Sequence, residues 1–148
     1  MREIKFRAWD EQNKILHRDF QFIKTGDEGN DWIIFVSDKQ KLDSNPHAFQ
    51  NPHFSGQFKI SQYTGLKDKH NKEIYEDDIV DAVMHEYVCD PSTKYLIEYR
   101  NAGFYLKAKN IEGDIDYVDI CGDDCCIKSM EIIGNKHENP ELLDKNNG

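Results

Sequence analysis

The chain opens on a strict alternation. Ile4, Phe6 and Ala8 fall on one side of an extended backbone while Glu3, Lys5 and Arg7 fall on the other, which predicts a half-buried strand. The polar stretch from Asp10 to Lys14 predicts a turn, and Ile15-Leu16 a return strand that Phe20, Phe22 and Ile23 extend. A second turn spans Thr25 to Asp31. Trp32-Ile33-Ile34-Phe35-Val36 is then short, apolar, β-branched and aromatic, the signature of a buried strand. Between Ser37 and Gly56 the periodicity stops. An imperfect duplication, Asn45-Pro46-His47-Ala48-Phe49 and Asn51-Pro52-His53-Phe54, predicts a long loop, because Asn-Pro pairs start turns and proline blocks ladder hydrogen bonds. Loops of such length in compact domains often carry function, so a binding loop using His47, Phe49, His53 and Phe54 stands as the alternative to a plain connection.

The most organised stretch is Ser61 to Val83. It reads as a turn at Thr64-Gly65, a turn-rich segment from Asp68 to Lys72, a short extended piece at Ile74-Tyr75, and an acidic step, Glu76-Asp77-Asp78, leading into a strand from Ile79. Farther on, Tyr95 to Tyr99 and Phe104 to Ala108 flank Asn101-Ala102-Gly103 as a hairpin. Ile115 to Ile120 and Ile127 to Ile133 are further strands, with Gly134-Asn135 as a break. Pro140 before Glu141-Leu142-Leu143 predicts one helical turn, and 144–148 a frayed tail. Short strands, frequent turns and almost no helical periodicity predict a mainly β protein, a small barrel or sandwich.

Four blocks, MREIKFRAWD, QYTGLKDKHNKEIYEDDIV, AGFYLK and EIIGNKHENPELL, occur in the order in which they resemble the YopX family, small phage and prophage proteins of Gram-positive bacteria. The resemblance implies a C-terminal SH3-like barrel over 61–143, starting its strands near Tyr75, and an N-terminal β-hairpin portion over 1–60 that includes the loop 37–56. It implies no established activity. The chain departs from the family pattern at His70-Asn71, where the pattern has Asn-Gly, and at Asp77, where it has Gly. Asn and Asp tolerate positive φ better than other side chains, so both sites are expected to keep a left-handed backbone.

Charge narrows the functional classes. The formal net charge is -9. Residues 1–60 carry nine Lys/Arg and nine Asp/Glu, so ten Lys/Arg against nineteen Asp/Glu in 61–148 supply all of it. An acidic half repels phosphate backbones, so nucleic acid is not the favoured partner. No apolar run reaches the roughly 18 residues of a membrane span, and the start does not read as a signal peptide. Cys89, Cys121, Cys125 and Cys126 therefore read as reduced thiols in a host cytoplasm.

Candidate chemistry is sparse. Glu112, Asp114, Asp116, Asp119, Asp123 and Asp124 cluster, but a calcium loop begun at Asp114 has Asp119 at its sixth position and Cys125 at its twelfth, where Gly and Glu are needed. The spacing of the cysteines with His85 and His137 is poor for zinc. His85-Glu86-Tyr87-Val88-Cys89 has Cys where a zinc-protease helix needs its second His, beside a helix-breaking Asp90-Pro91. No nucleotide-binding glycine loop or nucleophile elbow is present. The reading is of a non-catalytic chain with no cofactor and no metal. The aromatic set Tyr99, Phe104, Tyr105 and Tyr117, with Lys94, Arg100, Lys107 and Lys109 nearby, reads first as core and cross-strand packing. The competing account is a binding surface of Tyr99, Phe104, Tyr105, Lys107 and Lys109. The expected partner is a host or phage protein, with homo-oligomerisation through exposed strand edges as a further expectation. A nucleic-acid accessory role for the basic hairpin from Lys94 to Lys109 is the alternative.

Overall fold

The computed structural model describes residues 3–18, 20–24, 32–36, 53–54, 58–82, 93–109, 112–120 and 129–144. The chain is mainly β, with one short helix among the described residues. It divides into two units, Phe6–Ser61, and Met1–Lys5 together with Gln62–Gly148.

In the first unit, β1 (Phe6–Asp10) pairs antiparallel with β2 (Ile15–His17), Ala8 facing His17 and Asp10 facing Ile15. The Asp10 carboxylate makes the connecting turn: its Oδ1 accepts the amides of Gln12 and Asn13, and its Oδ2 the Asn13 side chain. The expected alternation fails here. Ile4 lies outside the strand and is exposed, while Arg7, Ala8, Trp9 and Asp10 are all buried. Both faces of β1 are covered, so a period-two pattern with Arg7 on its polar side does not mark solvent. β3 (Phe20–Lys24) pairs antiparallel with β4 (Trp32–Val36), and β5 (His53–Phe54) adds to β4, Ile33 facing Phe54. His53-Phe54 is therefore strand and not loop; His47 and Phe49 lie outside the described residues. Phe58 and Ala8 form a small buried cluster with Ile60 against it.

β6 (Phe58–Lys67) starts in the first unit and ends in the second. Thr64-Gly65, expected as a turn, lies inside this strand. The register with β7 (Glu73–Tyr75) slips between Tyr63 and Lys67, and Gly65 takes φ 89°. A glycine at positive φ absorbs a bulge and lets the strand continue. The Thr64 hydroxyl secures it, donating to the Ile74 carbonyl at 2.8 Å and accepting from the Leu66 amide at 3.1 Å. The expected turn from Asp68 to Lys72 is present, with Asn71 at φ 65°. Asp77, at φ 71°, turns β7 into β8 (Asp78–Asp81). Both family departures thus hold the left-handed backbone expected of them.

β9 (Lys94–Arg100), β10 (Gly103–Lys109), β11 (Ile115–Asp119) and β12 (Glu131–Asn135) complete a five-stranded antiparallel sheet in the order β11-β10-β9-β8-β12. Gly134-Asn135, expected to break a strand, belongs to β12; the register shift between Ile132 and Gly134 accommodates it. A side chain at Gly134 would place its Cβ 2.5 Å from the Asn139 Oδ1, so the glycine answers a packing need. One face of the sheet is core. Tyr95 and Ile97 of β9 alternate inward, as do Phe104 and Leu106 of β10. They join Ile74, Val80, Ile120 and Met130, with Ala108, Val118 and Ile132 packed against them. The helix α1 (Glu141–Asp144) follows Pro140 as expected and lies against β9.

Candidate functional site

The hairpin of β9 and β10 fixes the geometry of the predicted surface. Arg100 pairs with Gly103 across a two-residue loop in which Asn101 and Ala102 take φ 48° and 62°. Left-handed geometry at both loop positions matches the twist of the strands and sets the register. Phe104 then faces Tyr99 and Leu106 faces Ile97 on the core side, while Tyr105 faces Glu98 and Lys107 faces Leu96 on the outer side. β11 extends both faces, placing Tyr117 opposite Lys107, Ile115 opposite Lys109 and Asp119 opposite Tyr105.

This register splits the five predicted residues. Phe104 is buried in the core, and Tyr99, though 45% exposed, stacks edge-on against it with ring centroids 5.1 Å apart. Both belong to the core side of the sheet. Tyr105, Lys107 and Lys109 share the outer face. The Tyr105 ring lies over Gly103, 3.4 Å from where a Cβ would stand, so the missing side chain makes its seat.

Arg100 and Tyr117, from the wider basic and aromatic sets of the sequence, complete the outer face. The Arg100 guanidinium lies 3.8 Å from the centre of the Tyr117 ring, and the Lys107 ammonium is 5.8 Å from it. Cations over an aromatic face gain about 0.5–1 kcal/mol each where exposed. Lys107 also donates to Glu98 at 2.6 Å, and that bond raises the ammonium above its ordinary pKa. Lys94, at the far end of β9, pairs with Asp81 at 2.8 Å. The Glu98 and Asp81 pairings are legible only through the register: once Asn101-Ala102 is the loop, Glu98 stands diagonal to Lys107, and β8 carries Asp81 to Lys94. No one-dimensional charge count shows that.

The carboxylates of the stretch from Ser61 to Val83 have structural partners. Asp68 accepts the amides of His70 and Lys72 on Oδ1, at 2.8 and 2.9 Å, and the amide of Ile132 on Oδ2, at 3.2 Å. Burial pushes its pKa up, but the three N–H donors outweigh burial and hold it below the ordinary value. Asp78 accepts the Tyr75 amide at 2.8 Å. Asp77 binds Lys136 and His137, fastening the turn after β7 to the one after β12. Glu73 takes the Lys5 ammonium and the Tyr75 hydroxyl, which depress its pKa. Burial, with Asp77 beside it, raises that of Glu76.

Among the described residues no three His, Cys, Asp or Glu are grouped to hold a metal ion. His85, all four cysteines, Asp123 and Asp124 lie outside the described residues. No described helix is long and apolar enough to cross a membrane.

A family model described as "YopX protein" matches residues 5–144 of the chain. No curated protein matches it. Among solved structures the chain is similar to protein EF1440 from Enterococcus faecalis, with 24% identity, 97% of this chain and 99% of that one covered, and a TM-score of 0.49.

Proposed function

The chain belongs to the YopX family, and from that premise we propose that it is a non-catalytic protein-binding module whose contact surface is the outer face of β9, β10 and β11. The observation that carries the reading is the stack of Arg100 and Lys107 on Tyr117, a ring that remains 36% exposed on a sheet whose other face is core. Tyr and Arg are enriched among the residues that dominate interface energies, since they offer large contact area at small entropic cost. A rigid sheet presents them already ordered. The ionisable side chains of the stretch from Ser61 to Val83 fasten turns and strands, which supports recognition over bond-making chemistry.

Protein is favoured over nucleic acid as the partner because Lys94 and Lys107 already pair with Asp81 and Glu98. The partner is a phage or host protein met in the cytoplasm of an infected bacterium, and SH3-like closure of the five-stranded sheet is part of the same proposal. The test is affinity capture of tagged full-length chain from such cells, with and without nuclease, read by mass spectrometry. A stoichiometric protein that survives nuclease is expected. Recovery that vanishes with nuclease, or reproducible turnover by the pure chain, would overturn the reading.

A further inference from the structure

β9 ends on an arginine that is held by its face. The central carbon of the Arg100 guanidinium lies 3.8 Å from the centre of the Tyr117 ring, close enough for the planar group to stack on it. Stacking uses the face of the guanidinium and leaves its N–H donors, which project in its plane, for an acceptor. Lys107, the other cation on that ring, differs, because its ammonium already donates to Glu98 at 2.6 Å.

The pairing of Lys107 explains why Arg100 keeps its donors. Glu98 stands two residues back on the same side of β9, and Lys107 holds its carboxylate. Asp119, also on the outer face, has an interaction of its own. Among the described residues no ion pair reaches Arg100. The ring orders the guanidinium in advance, so less side-chain freedom is lost when a ligand arrives. Beside it on β11, Ile115 and Tyr117 are 50% and 36% exposed. All these side chains stand on a face of the sheet, so the site does not depend on how the sheet's edges are completed.

Resting on the binding-module reading, we propose that Arg100 receives a carboxylate of the partner protein, carried by an acidic segment whose apolar neighbour covers Ile115 and the rim of Tyr117. A guanidinium takes a carboxylate through paired, parallel N–H···O bonds, a match that an ammonium cannot make. One guanidinium suits one carboxylate. A nucleic-acid backbone calls for a row of cations, and Lys94 and Lys107 are already paired.

The probe is a peptide alternating glutamate and valine, titrated into isotope-labelled full-length chain. Binding is read by NMR at the Arg100 Nε–H and along the backbone of β9, β10 and β11. Its controls are the same peptide with glutamine or with lysine in place of glutamate, and a thymidine oligonucleotide. The glutamate peptide is expected to shift the Arg100 Nε–H signal to saturation, and the glutamine peptide to bind about tenfold more weakly. Arg100→Lys keeps the charge but loses the fork, and is expected to weaken the glutamate peptide by about tenfold. Arg100→Gln should weaken it at least as much, and thermal melts of both variants separate lost binding from lost fold. Full affinity in folded Arg100→Lys means attraction by charge alone and overturns the proposal. So does equal binding of the glutamine or lysine peptide, a glutamate peptide that leaves Arg100 unmoved, or an oligonucleotide that shifts it at lower concentration. If Arg100 stays unmoved while a cellular partner is still lost on Tyr117→Ser, the acidic-partner inference falls and the binding-module reading stands.

Discussion

Asp68→Ala tests how the stretch from Ser61 to Val83 is held together. The substitution strips the acceptor from three backbone amides, two in the turn after β6 and one in β12. Hydrogen bonds to a charged group contribute about 1.5–3 kcal/mol each when the donor is left unsatisfied. His70 and Lys72 lie in an exposed turn where water replaces the carboxylate in part, whereas Ile132 is half-buried in a strand. The expected loss is therefore about 3 kcal/mol, short of three full bonds, and lowers the melting midpoint by about 9 °C. Asp68→Asn keeps an oxygen for His70 and Lys72 but turns its NH2 toward the Ile132 amide, so about half the loss remains. Both tryptophans, Trp9 and Trp32, belong to the other unit, so unfolding is best followed by far-UV circular dichroism with hydrogen exchange over 62–144. The pH dependence is a second readout. A carboxyl whose folded pKa is depressed stabilises fully above its unfolded pKa and ceases to as pH falls through the folded one. The gap between wild type and Asp68→Asn should accordingly be widest near neutrality and close in acid. An alanine variant within about 0.5 kcal/mol of wild type would refute the reasoning, and would mean that the backbone bonds between Asp68 and Lys72 and between Asn71 and Asp68 hold the turn alone.

Other substitutions probe separate parts of the fold. Ala102→Gly should stabilise the chain by about 1 kcal/mol in urea titration, since it relieves an L side chain at φ 62°. Leu106→Ala should cost about 3 kcal/mol by the same titration, through the cavity it opens in the sheet core. Glu73 is held below its ordinary pKa by Lys5 and Tyr75, so its contribution is lost in acid, and Glu73→Gln should flatten the acid limb of a stability-against-pH profile.

The β9–β10 hairpin was legible because alternation and loop chemistry agree there: Tyr95, Ile97, Phe104 and Leu106 all point inward around Asn101-Ala102. The positive φ values of Asn71 and Asp77 were legible too, as few other side chains are at ease in that backbone. Gly65 and Gly134 misled for a common reason. A glycine in a polar context signals a turn, yet in an ordered sheet the same freedom serves a bulge or a close contact with a neighbour such as Asn139. Arg7 stands on the polar side of the alternation and is nonetheless buried, so polarity at alternate positions does not by itself mark a solvent face. At the surface, residue type alone set Phe104 beside Tyr105; only the pleat sends Phe104 into the core and Tyr105 outward.

The most direct test of the account captures partners with three versions of the tagged chain side by side: wild type, Arg100→Glu and Tyr117→Ser, each shown to be folded by its melt. Wild type should retain a protein partner after nuclease treatment, and both variants should lose it by about tenfold or more, as expected for central Arg and Tyr contacts. Retention of the same partner by both folded variants would contradict the claim that the outer face of β9, β10 and β11 is where this protein binds.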